Sequence, residues 1–407
     1  LALLLTVYLL PVQVMAEELG DLWPLTTENI AETPPDVIGE VLERRGENQK
    51  EFLLANGVRQ VVIYPAAVHY QKDGQWKDID NRLLPATTRD GETVYQNVAG
   101  MWDVSVPAEL NTARGITVSR NGYSLSFYLT GQLFEDGGAI SESGSASMGE
   151  ELPGEDMICV PAGESTAAIS STTSTLADDD QLQPEAALKN QRSKALYQNV
   201  YHDTDVTYDL DSNRLKESLI LRSYPKEMLG YRYRLETDSL RLELQEDNRI
   251  LAYAKDAGPQ DEPVFYMPAP YLLDAENAYS NDIKVTLEEN DKGYELRYHL
   301  PQDWMADAAY PVVMDPVVQP VSNTFTIRDK TVTQRNPPAY DAISLDAGYS
   351  TNRGRERIYI RFKNIPSLSS ADVVVGAKVL LYKYSGSGSI SGNYMTAHQV
   401  IVSESHM

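Results

Sequence analysis

The chain has 407 residues with 59 Asp and Glu against 35 Lys and Arg, a formal net charge of −24. Such a polyanion is repelled by nucleic-acid phosphates and anionic lipid unless a local basic patch intervenes, so neither is an expected partner. The single cysteine, Cys159, excludes a disulfide framework and any cysteine-rich zinc site.

The first element is an uncharged apolar run, Leu1 to Leu10, followed by Pro11 and by Val14, Met15 and Ala16 ahead of Glu17. This is the core of a secretion signal with cleavage after Ala16, and it is too short to span a bilayer. The expected location is therefore extracellular. Both ends of the chain have the look of a longer reading frame cut short, since a strand-like segment ends the sequence without a closing element.

After an irregular lead-in, Asp36 is placed to cap a short helix through Glu43. From Asn48 the period becomes strand-like. Asn56-Gly57, Asp73-Gly74 and Asn121-Gly122 stand between alternating runs, the dipeptides that tolerate the positive φ of tight hairpins. From Glu135 to Ala195 the alternation disappears into Ser, Gly, Thr, Asp and Glu, a segment too polar to offset its ordering entropy, and it is expected to be disordered. Cys159 lies there among acidic neighbours, which favours an inert thiol. Strand patterning resumes at Leu196 and continues through Ile283 to Leu287, the Asn290 to Gly293 turn and Tyr294 to Leu300. Glu262 to Pro270, with proline near both ends, is expected at a sheet edge. Trp304 to Ala309 is a short helix candidate. The strands and hairpin turns predict an all-β architecture with antiparallel sheets. The 25 tyrosines against 6 phenylalanines fit half-wet β surfaces, because a phenol needs a partner or solvent.

The chemistry-bearing residues point to no reaction. The five histidines, His69, His202, His299, His398 and His406, include no pair at zinc-ligand spacing. His69 and His299 alternate beside tyrosines and are expected to line strand faces. Asp209, Asp211 and Asn213 begin like an EF-hand loop, but Arg214 stands where glycine is needed and Ile220 where a bidentate Glu is required. Asp203 and Asp205 could join an oxygen-lined calcium site, the one cofactor the sequence suggests. Asp78 and Asp80 suggest a glycosidase pair, whereas turn amides and Arg82 explain them more simply. The densest positive cluster, Arg353, Arg355, Arg357 and Arg361, alternates beside Glu356 and is not counted as a basic patch.

Two groups of segments resemble known secreted bacterial proteins. Val68 to Leu83 (VHYQKDGQWKDIDNRL), Tyr197 to Leu221 and Tyr310 to Pro316 (YPVVMDP) resemble the N-terminal region of Gram-positive wall-associated and Rhs/YD-repeat proteins. Asp341 to Tyr384 resembles the start of a DNRLRE-type domain, a jelly-roll-like β-sandwich related to carbohydrate-binding module family 96. The segments that carry it are Thr351 to Glu356 (TNRGRE), the strand through Phe362, Ile365-Pro366 and Val375 to Tyr382. Thr351 and Gly354 depart from the name-giving hexapeptide.

The expected organisation is a signal over 1–16, a lead-in over 17–47, a β-rich domain over 48–134 and 196–318 interrupted by the 135–195 insertion, and a partial DNRLRE-like β-sandwich over 323–407. The resemblance implies a non-enzymatic front end of a larger protein, with polysaccharide or cell wall as partner and no catalytic, cofactor-binding or metal residues to carry over. The alternative is a stalk for a Rhs-type toxin downstream in the same polypeptide. A polysaccharide-degrading enzyme rests only on the acidic pairs and tyrosines.

Overall fold

The computed structural model describes residues 3–11, 36–64, 66–135, 150–151, 157–160, 165–171, 190–276, 278–321, 327–335, 339–340, 348–350, 354–362 and 372–381. The chain is almost entirely β, and its sheets are antiparallel.

Two large sheets form the body. One runs from the edge strand Lys284–Asn290 through Gly293–His299, Met228–Glu236, Tyr123–Glu135, Ile116–Arg120, Asp103–Pro107 and Thr93–Ala99 to the opposite edge, Asp80–Thr87. The other places Ser193–Tyr201, Thr204–Leu210 and Leu215–Leu221 side by side, then continues through Val317–Pro320, Phe265–Met267 and Ile250–Ala254 to Leu240–Leu244. Alternation makes each sheet apolar on one face, and the two apolar faces close on one another. Val104, Val118, Leu125, Tyr231 and Leu235 of the first sheet share a continuous core with Tyr197, Val206, Leu219, Ile250 and Phe265 of the second.

Local chemistry sets the hairpins. Asn121 and Gly122 take φ of 53° and 85°, so Arg120 and Tyr123 pair directly across the turn. Gly230 has a different task. A Cβ there would stand 1.8 Å from the Tyr298 carbonyl oxygen, so only glycine lets Met228–Glu236 approach Gly293–His299 at this point.

A smaller sheet orders Val37–Glu40, Gln49–Leu54, Arg59–Ile63, Leu3–Pro11 and Asp372–Leu381. It has its own core of Phe52, Val62, Tyr64 and Val68. The hairpin His69–Lys72 with Gln75–Asp78 and a four-stranded sheet, Ala339–Tyr340, Ile327–Thr333, Gly354–Phe362 and Gly348–Ser350, complete the described fold.

Several local expectations change. Residues 37–40 pair as a strand with Gln49–Leu54 instead of forming a helix, and only Leu42–Arg44 makes a 3-10 turn. Glu40 is drawn into an ion pair with Arg45, and Ile38 and Leu42 are left exposed. The 135–195 segment contributes strand at Glu150–Glu151, Met157–Val160 and Ser165–Ser171. Met157–Val160 adds to the end of Tyr123–Glu135, and Ser165–Ser171 adds to Ser193–Tyr201. Phe265–Met267 is interior, flanked by Ile250–Ala254 and Val317–Pro320, because Pro263 and Pro268 fall outside the paired residues. The helix near Trp304 spans Gln302–Asp307. The stretch expected as a secretion signal is a strand over Leu3–Pro11 between Arg59–Ile63 and Asp372–Leu381.

Candidate functional site

The three segments that resemble wall-associated proteins are far apart in sequence, and the structure brings them together. Asn81, fully buried at the end of the first segment, donates from Nδ2 to the Gln191 carbonyl at 3.0 Å and to Ser212 Oγ at 3.4 Å. Its backbone amide donates to the Asn190 carbonyl at 2.8 Å. Asn97 Nδ2 reaches Asn81 Oδ1 and the Trp102 carbonyl, and Asn97 Oδ1 accepts from the Val104 amide at 2.8 Å. Gln191 closes the network through Ser212 and the Ile79 carbonyl. A buried amide left without these partners would cost the full desolvation penalty, so the network fixes the register of the elements it joins.

The second and third segments meet as neighbouring strands, with Leu219 opposite Met314 and Leu221 opposite Val312. At this junction Glu217 enters the sandwich. It holds the core parity of Leu215-x-Glu217-x-Leu219-x-Leu221, where an apolar residue is expected. Tyr208, directly opposite on the adjacent strand, donates to Glu217 Oε1 at 2.5 Å, and Tyr233, from the facing sheet, donates to Oε2 at 3.0 Å. The carboxylate therefore ties the two sheets through their interior. Tyr298 packs edge-on against Tyr233, with ring centroids 5.6 Å apart, and Tyr197 does the same against Tyr208 at 5.9 Å. Desolvation pushes the Glu217 carboxyl up to about 7, the two phenols pull against it, and nearby Asp315 adds to the rise.

Asp315, in the YPVVMDP segment, is buried and also raised, by desolvation first, although Lys216, Tyr271 and Arg214 oppose the shift. Lys216 Nζ stands 2.6 Å from Asp315 Oδ2 and 5.9 Å from the Tyr271 ring centre, and Tyr271 stacks on Tyr279 at 5.3 Å. Adjacent Lys216 and Glu217 thus serve opposite faces of one strand.

A second polar cluster lies between the small sheet and the hairpin of His69–Lys72 with Gln75–Asp78. Arg45 grips Glu40 through two bonds of 2.7 Å, and Lys50 Nζ lies 2.7 Å from Asp78 and 3.4 Å from Glu40. Arg45 also comes within 3.2 Å of Asp78. His69 is fully buried, with Nδ1 2.6 Å from the Gly46 carbonyl. Its Nε2 is 3.5 Å from Asp78 and 3.8 Å from Glu40, at or beyond the limit of a hydrogen bond. Burial opposes ionisation of Asp78, yet His69, Lys50 and Arg45 outweigh it and hold the carboxyl below its ordinary range.

The remaining candidates have structural partners. Asp80 pairs with Arg82, giving it a different partner from Asp78. Asp211 accepts from the amides of Asn213 and Arg214 at 2.8 and 3.0 Å, an Asx turn. Asp205 caps the Asn199 amide and pairs with Arg222, and Asp203 accepts from Ser223. His202 is exposed beside Asp203, and His299 ends the strand Gly293–His299. Cys159 lies opposite Leu133 in the ladder, while His398 and His406 lie outside the described residues. Among the described residues no trio of His, Cys, Asp or Glu is arranged to hold a metal ion, and no helix is long and apolar enough to cross a membrane.

No family model matches the chain. The resemblance to a DNRLRE-type domain and carbohydrate-binding module family 96 is thereby corrected: short alternating stretches such as Arg355 to Phe362 recur in any amphipathic strand and do not identify a family. The chain is 23% identical over 373 residues to the tRNA(Glu)-specific nuclease WapA of Bacillus subtilis subsp. natto (strain BEST195), and equally to the tRNA nuclease WapA of Bacillus subtilis (strain 168). In both cases 86% of this chain and 14% of the relative are covered. The tRNA3(Ser)-specific nuclease WapA of Bacillus spizizenii is 23% identical over 358 residues, covering 82% of this chain and 13% of the relative. These relatives are named enzymes, so the expectation of a non-enzymatic protein is corrected as well. Along most of its length, then, the chain is similar to a stretch making up about 14% of far longer tRNA nucleases.

Proposed function

We propose that this chain is the surface-borne β-sandwich segment of a wall-associated, Rhs-type protein whose tRNA nuclease part lies in the same polypeptide, and that it serves as the stalk from which that toxin is delivered. The observation that carries this reading is the similarity to the WapA nucleases over 86% of the chain. The geometry supports it: the wall-protein-like segments are spent on the Asn81 and Glu217 ties that hold the sandwich rigid, as a stalk outside the cell requires.

The test is to delete this segment from the complete polypeptide. Retention on the wall and inhibition of neighbouring cells should be lost, while the purified remainder still cleaves tRNA at the parental rate. Loss of tRNA cleavage together with the segment would place part of the nuclease machinery here and overturn the stalk reading.

A further inference from the structure

The four-stranded sheet carries Arg355, Arg357 and Arg361, the arginines that their sequence neighbour Glu356 seemed to neutralise. Strand alternation separates them. Arg355 and Arg357 are exposed, whereas Glu356 between them is 8% exposed and belongs to the opposite face. Tyr349 pairs with Arg355 across the ladder and is 68% exposed, and Tyr359, next in the row after Arg357, is 37% exposed. The same parity of the ladder is held by the cross-strand positions Lys330 opposite Tyr359 and Arg328 opposite Arg361. The acidic positions of these two strands, Asp329 and Glu356, fall on the other parity. Among the described residues neither Arg355 nor Arg357 has an acidic partner. In a chain of net charge −24 this is a concentrated positive row, and a polyanion repelled elsewhere would be drawn to it.

We infer that this face docks a linear phosphodiester polymer of the cell wall. Residues two apart on a strand are about 7 Å apart, so the two guanidinium groups form a pair of forks suited to successive phosphates of an extended chain. Tyr349 stands across the ladder from Arg355, and Tyr359 follows Arg357 along the strand. Single-stranded RNA is favoured less, because it is gripped by runs of aromatic rings that stack successive bases, and here adjacent places in the row hold charge. The inference rests on the wall-associated reading above for the choice of polymer, and on the sheet geometry alone for the site.

The full chain, labelled and titrated with poly(glycerol phosphate), polyuridylic acid and uncharged dextran at several salt concentrations, tests it. Binding to poly(glycerol phosphate) should weaken with salt. It should fall about tenfold or more in Arg355→Glu/Arg357→Glu, with the salt slope reduced by about 1 to 2. Arg355→Lys/Arg357→Lys should fall between the two, because the charge remains and the fork does not. Lys226→Glu/Lys284→Glu, an equal charge change at exposed sites elsewhere, should bind as the parent does. Both arginines are exposed, so an unfolding midpoint matching the parent confirms that the double variant is folded. An equal loss in the control pair, no binding at low salt, or tighter binding to polyuridylic acid would each overturn the inference, the last in favour of RNA. If the double variant binds like the parent while deletion of the segment still abolishes wall retention, the docking face fails and the stalk reading stands.

Discussion

Two regions of this molecule hold carboxyl groups among polar partners, and they do so in opposite ways. Where the small sheet meets its neighbouring hairpin, Glu40 and Asp78 are matched by Arg45 and Lys50, and Asp78 is held in its charged form. In the sandwich Glu217 is met by two phenols and no cation, and its proton is held nearly to neutral pH. Burial alone therefore does not decide the state of a carboxyl. Partner charge and burial act together: the cations prevail at half-exposed Asp78, whereas desolvation prevails at buried Asp315 despite Lys216.

The sharpest way to break the contrast is to take away a cation where the interior depends on one. Lys216→Met leaves Asp315 buried without its closest ion partner, and the chain should lose about 3 to 5 kcal/mol in urea unfolding at pH 7. A loss below about 1 kcal/mol would show that Tyr271 and Arg214 suffice.

Glu217→Gln probes the phenol-held site. The folded carboxyl titrates at about 7 against 4.5 when unperturbed. Its contribution to stability is thus complete below about pH 4.5 and is lost as the pH rises through 7, amounting to up to about 3 kcal/mol. Unfolding midpoints of the parent should fall across that window, whereas Glu217→Gln should flatten the decline. A parallel decline in both proteins would remove Glu217 as its source.

Asp78→Asn should have the smallest effect, under about 1 kcal/mol at neutral pH, because this carboxyl is more than half exposed. The sign is reversed: a depressed carboxyl stabilises above its unfolded pKa, and the benefit disappears as the pH falls through the folded value. The gap between parent and variant should narrow from pH 7 to pH 2, as read by thermal unfolding.

The hairpins were legible because their determinants are local. Asn121-Gly122 and Asp73-Gly74 take the positive φ that the dipeptides predict. The clusters were not, because their partners come from distant segments. Asp78 meets Lys50 and Arg45 only after the small sheet folds, and Glu217 is closed by Tyr233 of the facing sheet. One clue was present in the sequence: Glu217 holds an apolar parity between Leu215 and Leu219, and a charged residue on a core parity is the mark of a buried polar tie. The strand Met157–Val160 was hidden by the polar composition around it and is stabilised by its pairing with Tyr123–Glu135.

The two outermost strands of the first large sheet bear on how many copies can share one surface. Asp80–Thr87 carries Pro85, which has no amide proton to offer, and its register shifts between Asp80 and Leu83. Lys284–Asn290 presents exposed Lys284, Glu288 and Glu289. Neither border offers a flat, apolar template to another chain. Two copies of the chain are therefore not drawn to pair through these two edges.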